Sequence, residues 1–179
     1  MSTAPKYAPH YTVDDYQLWK GDWELWHGTA VAMTPSPFGR HSHLLSQFTK
    51  ILGNAIDASK CEAVVLPEID WIISDDTVLR PDLILLCGPV PERHVEETPA
   101  LVVEILSKAT RERDLTYKRD IYQDAGVRWY LIADPETNLL TAMRLDENGQ
   151  YVVVDLGESL AIDICESCKL SILVDHIFV

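Results

Sequence analysis

The sequence predicts a single α/β domain over residues 1–179, in which a β-sheet is flanked by helices. Apolar residues recur at helical spacing through residues 41–58. Apolar runs of strand length, rich in β-branched and aromatic residues, lie at 101–106 and 129–133. The 179 residues contain neither repeats nor a linker, and they are enough to bury one sizeable core.

The elements follow in chain order, and residues 1–11 come first as a predicted loose tail. Strands are predicted from apolar runs bounded by turn residues, at 23–27, 29–33, 63–66, 69–73, 78–86, 101–106, 129–133, 139–145 and 151–155. A proline-rich break occupies 35–39. Helices are predicted at three places: up to residue 19 with Thr12 or Asp14 as the cap, at 41–58, and from Thr110 or Asp114 to the stop at Gly126.

The net charge of -13, from 28 acidic and 15 basic residues, repels polyanions at long range. It argues against strong non-specific binding of nucleic acid by the surface as a whole. The bases are nevertheless clustered, because residues 108–128 hold Lys108, Arg111, Arg113, Lys118, Arg119 and Arg128 against four acids. This stretch is either a phosphate-facing surface or an ordinary solvated helix of mixed charge.

The sequence also constrains the environment of the protein. No apolar stretch approaches the ~18 residues of a membrane span, and the first residues carry no secretory signal, so we expect a cytoplasmic protein without a membrane partner. Four cysteines are too scattered for a disulfide framework. Cys165 and Cys168 form a C-x-x-C, but no second Cys or His pair lies at zinc-finger spacing, so we expect reduced thiols.

Two carboxylates lie in apolar surroundings. Glu104 interrupts the run 100–106, and Asp82 opens the run 81–86. Burying an unpartnered carboxylate is very costly, so Glu104 needs a metal, a hydrogen-bond network or a shifted pKa. On adjacent strands the two acids would converge on a divalent cation. The alternative is that Asp82 only starts its strand while Glu104 pairs with a buried Arg or Lys.

A lysine that can reach these acids lies on the following helix. Helical spacing places Asp114, Lys118 and Tyr122 on one stripe. If the helix packs over the sheet, the Lys118 ammonium meets the carboxylates and can orient or deprotonate a water, or stabilise charge on a phosphate. The alternative is an intrahelical pair between Lys118 and Asp114. Leu106 occupies the position beside Glu104 on the same face of the strand.

An ordered set of short motifs resembles one known family. The set comprises Trp23-Glu24-Leu-Trp-His-Gly28, Met33-Thr-Pro-Ser-Pro37, His43, Pro81-Asp82, Val103-Glu104-Ile-Leu-Ser107, Thr110, Arg113, Asp114, Lys118, Tyr122, Gly126-Val127, Tyr130-Leu-Ile and Asp134-Pro135. This array resembles the Uma2 family, also called DUF820, whose members are restriction-endonuclease-like proteins. The resemblance covers about residues 12–155.

The resemblance implies membership of the PD-(D/E)xK nuclease superfamily, with a restriction-endonuclease-like core in the order αβββαβ. It implies that Asp82 and Glu104 are the motif acids and bind Mg²⁺ or Mn²⁺, with Glu24 and the Ile105 carbonyl as further ligands. Leu106 stands where the motif lysine is expected, and Lys118 fits a lysine that has migrated to the next helix.

These inferences lead to the expectation of a Mg²⁺-dependent endonuclease that hydrolyses phosphodiester bonds of DNA, with Asp82, Glu104 and Lys118 as the catalytic residues. The expected phosphate-binding residues are Lys108, Arg111, Arg113 and Arg119. Two histidines open the helix at 41–58 and either contact phosphate or act as caps, namely His41 and His43. Tyr122 either hydrogen-bonds across the site or packs in the core.

Two other functions remain open. The departure at Leu106 and the acidic surface fit an inactive nuclease-fold module that binds nucleic acid or a protein partner. A dimeric interaction module with structural acids is the third reading. Trp19, Trp23 and Trp26 cluster near the start of the chain and predict an apolar partner surface, such as a homodimer contact.

Overall fold

The structure, a computed structural model, describes residues 9–33 and 39–179. Its strands are β1 (Trp23–Trp26), β2 (Thr29–Ala32), β3 (Ala63–Pro67), β4 (Trp71–Ser74), β5 (Thr77–Leu79), β6 (Leu83–Cys87), β7 (Leu101–Ile105), β8 (Trp129–Asp134), β9 (Leu139–Leu145), β10 (Tyr151–Val154), β11 (Ser159–Ile164) and β12 (Cys168–Leu173). Its helices are α1 (Val13–Tyr16), α2 (Gly39–Ser59), α3 (Arg111–Arg113), a π-helical turn (Asp114–Lys118), α4 (Arg119–Asp124) and a 3₁₀ helix (Val174–His176). Among the described residues, no helix is long and apolar enough to cross a bilayer.

A six-stranded mixed sheet lies at the centre of the fold, in the order β10-β9-β8-β7-β6-β3. β7 and β8 pair in parallel, whereas the other neighbours are antiparallel. A parallel pair requires a crossover connection, and α3, the π-helical turn and α4 supply it. A second sheet, in the order β2-β1-β5-β4, and the hairpin β11-β12 complete the strands. The mixed sheet flanked by helices confirms the predicted fold class.

The two faces of the central sheet carry different layers. Leu101 and Val103 of β7 pack in one apolar cluster with residues of α2 and of the hairpin β11-β12. Val102 and Leu106 pack in a second cluster, which contains Trp71 of the small sheet and Tyr122 of α4. The predicted alternation along β7 is therefore confirmed. It directs Glu104 toward the face that α4 covers.

The predicted strand at 78–86 is wrong, because this segment forms two strands in different sheets. β5 pairs with β1 and β4, whereas β6 pairs with β3 and β7. The chain leaves one sheet and enters the other through Arg80, Pro81 and Asp82. Pro81 has no N–H to donate to a ladder, which favours a strand end at this point. Asp82 consequently lies where the two sheets meet.

The N-terminal prediction is confirmed in part. Thr12 caps α1 through a capping box, in which its hydroxyl accepts from the Asp15 N–H and its own N–H donates to the Asp15 carboxylate. The helix ends at Tyr16, earlier than predicted. The loose tail is wrong for its last residues, because the Tyr11 N–H donates to the Gly28 carbonyl at 2.8 Å. The remainder of the tail, residues 1–8, and residues 34–38 of the proline-rich break lie outside the described residues.

The prediction of reduced thiols is also wrong for this structure. Cys61 is bonded to Cys168, and Cys87 to Cys165. The sequence hides these pairings because the hairpin β11-β12 folds back against the ends of β3 and β6 from a sequence separation of 78 to 107 residues.

Candidate active site

The sheet register places Asp82 and Glu104 side by side. β6 and β7 are antiparallel, with Leu83 opposite Val103, so the next pair along is Asp82 and Glu104. Each carboxylate accepts a hydrogen bond from a backbone N–H of the segment that carries the other acid. The Ile105 N–H donates to Asp82 Oδ2 at 2.6 Å, and the Asp82 N–H donates to Glu104 Oε2 at 3.4 Å. These bonds fix both carboxylates next to each other at one end of the β6–β7 pair.

Lys118 reaches the acids from the helical crossover. Its Nζ lies 3.1 Å from Glu104 Oε1 and 3.0 Å from Glu24 Oε1, and the residue is only 6% exposed. The predicted intrahelical partner is more distant, because Asp114 Oδ1 lies 4.0 Å away. Lys118 therefore bridges two carboxylates from different sheets. Of the two alternatives that the sequence leaves open, the structure shows the one in which the helix returns this lysine to the sheet.

Glu24 is brought to the site by the small sheet. Its strand, β1, pairs with β5 through Leu25 and Val78. The Arg80 N–H donates to Glu24 Oε1 at 2.8 Å, and the Trp26 indole N–H donates to Oε2 at 3.1 Å. Both oxygens are thus held, and the residue is 4% exposed. The structure places this predicted metal-side carboxylate against Lys118.

Tyr122 and Asp114 complete the wall of the site. The Tyr122 hydroxyl donates to Glu104 Oε1 at 2.5 Å, so the same oxygen accepts from both Tyr122 and Lys118. Asp114 is 1% exposed, and its Oδ1 is buried without a hydrogen-bond partner. The predicted stripe of Asp114, Lys118 and Tyr122 therefore faces the acids along its whole length.

The charge of the cluster is strongly unbalanced. Three carboxylates, those of Glu24, Glu104 and Asp114, lie within 4.0 Å of the Lys118 ammonium, and Asp82 lies beside Glu104. Burial raises the pKa of Glu104 well above its usual range, and Lys118 only partly opposes this shift. Burial likewise raises the pKa of Asp114 to about 6. Burial alone would lower the pKa of Lys118, but the facing carboxylates outweigh it and raise that pKa instead. The cluster thus favours an additional positive charge.

His41, at the start of α2, contacts the cluster on its outer side. Its Nε2 lies 3.1 Å from Asp82 Oδ1, and its Nδ1 is buried without a hydrogen-bond partner. Burial opposes protonation of this imidazole, but the hydrogen bond with Asp82 raises its pKa overall. His41 also lines a cavity of about 420 Å³, together with Lys108 and Arg111. The cavity adjoins the carboxylates only through His41, and two of the predicted phosphate-binding residues line it.

The other predicted residues lie elsewhere. Arg113 stacks over the Trp26 ring at 5.6 Å, and Arg119 pairs with Asp120 at 2.7 Å. His43 is not at the site, because its Nε2 contacts the Val179 carbonyl at 2.7 Å. Successive helical residues are about 100° apart, so side chains two positions apart point to nearly opposite sides of α2. Of the two histidines, only His41 faces the acids.

Comparison with known proteins identifies the family. The family model Uma2, described as "Putative restriction endonuclease", matches residues 13–172. The chain belongs to the Uma2 family. A similar fold occurs in a crystal structure from Anabaena variabilis, described as "a putative nuclease belonging to DUF820". The TM-score is 0.72 at 18% sequence identity, with 93% of this chain and 97% of that chain covered. Among the curated proteins, no relative matches the sequence.

The donor chemistry of this Uma2 site fits a hard divalent cation, because the oxygens that face one another here belong to carboxylates. The unpartnered Asp114 Oδ1 and the excess negative charge agree with that fit. Within residues 9–33 and 39–179, no three His, Cys, Asp or Glu side chains are already arranged to hold a metal ion. Lys118 instead contacts both Glu24 and Glu104. Ile105 reaches the site through its backbone, whose N–H contacts Asp82.

The sequence does not predict that two residues of this Uma2 site, Asp114 and His41, belong to the carboxylate cluster. The sequence predicts that Asp114 shares a stripe with Lys118 and Tyr122 but gives it no catalytic or metal-binding role, and it predicts His41 only as a contact for phosphate or a cap. The stripe shared with Lys118 and Tyr122 was a usable signal for Asp114. For His41 no local signal exists, since its contact with Asp82 depends on how α2 packs against the sheet.

Proposed function

We propose that this protein is a metal-dependent endonuclease that hydrolyses phosphodiester bonds of DNA, with Mg²⁺ or Mn²⁺ as the cofactor. The observation that carries the proposal is the cluster of three buried carboxylates around Lys118 with Asp82 beside them, next to a cavity whose lining includes Lys108 and Arg111. The description of the Uma2 family as "Putative restriction endonuclease" and the fold shared with the Anabaena variabilis protein support it.

Asp82 and Glu104 would hold the cation, with Glu24 and the Ile105 carbonyl as further ligands. When bound, the cation would polarise the scissile phosphate and acidify a water molecule. The hydrogen bonds from the Ile105 N–H and from the Tyr122 hydroxyl hold the two acids in position before the cation arrives. Such preorganisation lowers the cost of assembling the site.

Lys118 acts as a fixed positive charge in this proposal. In the metal-free site the facing carboxylates raise its pKa, so the ammonium is protonated at neutral pH. Held by Glu24 and Glu104, it can donate to an attacking water or to a phosphate oxygen that gains charge. The lysine expected at Leu106 is thereby replaced from the helix, since Leu106 itself is buried in the apolar cluster.

The cavity provides the contact surface for the nucleic acid backbone. Lys108 is highly exposed and lies 3.6 Å from Glu136, whereas Arg111 binds Asp134 at 2.9 Å. A phosphate that enters here would compete with these two acids for the cations. Arg113 and Arg119 lie outside the cavity lining and would contact only a longer substrate.

Plasmid cleavage tests the proposal. Supercoiled DNA is incubated with wild type and with Asp82→Asn, Lys118→Met and the exposed control Asp155→Asn, each with Mg²⁺, Mn²⁺ or EDTA. We expect metal-dependent nicking by wild type and Asp155→Asn, and at least a hundredfold loss in the two site variants. Nicking that survives EDTA or the Asp82 substitution would contradict the proposal.

A second candidate is a nuclease-fold module that binds without cutting, and the apolar Leu106 at the usual lysine position favours it. Binding of labelled DNA and RNA duplexes and single strands separates the two candidates. Binding that persists in Asp82→Asn, with no cleavage by a folded wild type under any metal, would support the module. The same panel identifies the preferred nucleic acid.

A further inference from the structure

All four cysteines of the chain meet at one place, at the end of the fold remote from the carboxylates. Cys61 precedes β3 and Cys87 ends β6, and these strands pair antiparallel with Ala63 opposite Cys87. Cys165 and Cys168 flank the turn between β11 and β12. All four line one surface depression of about 780 Å³. The sequence separates the members of this set by up to 107 residues.

The pairing pattern requires the four sulfurs to form a single cluster. Each of the two hairpin cysteines is bonded to a different strand cysteine, with Cα separations of 5.9 Å for Cys61 and Cys168 and 5.6 Å for Cys87 and Cys165. The hairpin cysteines are only three positions apart, so the two bonds cannot lie far from each other. Cys61 and Cys87, at the strand ends, therefore provide the second cysteine pair that the sequence does not show at zinc-finger spacing from the C-x-x-C.

We propose that the reduced form of this cluster binds one Zn²⁺ through Cys61, Cys87, Cys165 and Cys168. Four thiolates around zinc form a closed structural site, and a C-x₂-C turn commonly supplies two of them. Zn–S bonds of about 2.3 Å place tetrahedral sulfurs about 3.8 Å apart. Rotation of each cysteine side chain about its Cα–Cβ bond separates the sulfurs while the backbone stays in place.

The hairpin turn has the backbone that such a site needs. Cys165 and Glu166 both adopt positive φ, 44° in each case, which is uncommon for residues other than glycine. The Cys168 N–H donates to the Cys165 carbonyl at 3.1 Å and closes the turn. This tight turn brings the two side chains to the same side of the hairpin, where Cys61 and Cys87 lie.

The disulfide-bonded form is converted to the zinc-bound form by reduction followed by metal binding. Each disulfide is reduced to two thiols by two electrons from a phosphine, which becomes the phosphine oxide, while one water molecule supplies the oxide oxygen and both protons. Zinc then displaces four protons, because the ligands are thiolates.

The site is independent of the proposed nuclease function. Cys87 is the last residue of β6 and Asp82 immediately precedes its first, so about 16 Å of extended strand separates them.

Metal titration of the protein of 179 residues tests the inference. The chain is reduced with a phosphine under argon, freed of metal and titrated with Co²⁺, whose absorption reports tetrahedral thiolate coordination, and then with Zn²⁺. We expect one Co²⁺ per chain with thiolate absorption and its complete displacement by Zn²⁺. Cys87→Ser and Cys165→Ser should each weaken this thiolate-bound Co²⁺ at least tenfold, whereas the exposed control Asp155→Asn should leave it unchanged.

The inference would be overturned if the reduced wild type took up neither metal, whether circular dichroism showed it folded or unfolded. It would also be overturned if the serine variants bound Co²⁺ as tightly as wild type does, or if the protein purified from zinc-supplemented cells carried two disulfides and no zinc. Nuclease activity is not a readout of this experiment, so failure here leaves the proposed function intact.

Discussion

Replacing Asp114 with asparagine should remove part of the pH dependence of the folding free energy. Asp114 is 1% exposed, and burial raises its pKa from 3.8 to about 6. One pKa unit corresponds to about 1.4 kcal/mol, so ionising this group in the folded state costs up to about 3 kcal/mol. Asparagine has nearly the same shape and carries no charge.

The direction of the effect follows from the two pKa values. The folded protein binds this proton more tightly than the unfolded chain does, because the folded-state pKa is the higher one. The resulting stabilisation is fully present below about pH 4 and is lost as the pH rises through about 6. Asp114→Asn should therefore become more stable relative to wild type as the pH rises from about 4 to about 7.

Urea unfolding provides the assay, with EDTA present so that no divalent cation neutralises the cluster. Free energies of unfolding are measured for wild type, Asp114→Asn and the exposed control Asp155→Asn at several pH values across this window. The difference between wild type and Asp114→Asn should change by up to about 3 kcal/mol. A difference that is constant across the window, or one that changes in the opposite direction, would refute the reasoning.

Three further predictions concern neighbouring residues. Lys118→Met should lower the free energy of unfolding at neutral pH by about 3–5 kcal/mol in urea titrations, because it leaves buried carboxylates uncompensated. Tyr122→Phe should cost about 1.5–3 kcal/mol by the same measurement, because Glu104 loses a hydrogen bond of 2.5 Å. Arg111→Ala should weaken DNA binding and reduce the slope of log affinity against log salt by about 1, whereas Arg119→Ala should change neither.

Each of these predictions has a result that would contradict it. An unchanged unfolding midpoint in the Lys118 variant would mean that the ammonium does not compensate the acids. A Tyr122 variant as stable as wild type would mean that water replaces the hydroxyl at Glu104. Equal salt slopes for both arginine variants would mean that the cavity does not contact phosphate.

The sequence predicted the parts of the site that depend on local patterns. The alternation along β7 determined which way Glu104 points, and helical spacing determined that Lys118 and Tyr122 share a stripe. The parts that depend on tertiary packing were not accessible. The split at Pro81 places Asp82 between two sheets; Pro81 is a local signal for a strand end, but nothing in residues 78–86 shows that the two halves join different sheets. The DNA substrate and the homodimer stay predictions.

The cysteines show the same limit more sharply. The chain spacing of Cys61, Cys87 and the C-x-x-C carries no information about which strand ends the last hairpin contacts. Once the hairpin packs against β3 and β6, the four sulfurs must meet. A scattered set of cysteines is thus compatible with one compact cluster, because strand pairing brings distant segments together.

The π-helical turn helps to keep Asp114, Lys118 and Tyr122 on the same side of the helical segment. In a regular α-helix, residues four apart drift by about 40° around the axis, so Asp114 and Tyr122 would end about 80° apart. A π-helical turn encloses one more residue per hydrogen bond and winds less per residue, which offsets this drift over Asp114–Lys118. Deleting one residue within the turn would restore regular winding and rotate one end of the stripe away from the carboxylates. The length of this turn therefore determines whether a lysine carried by the helix can replace one carried by the strand.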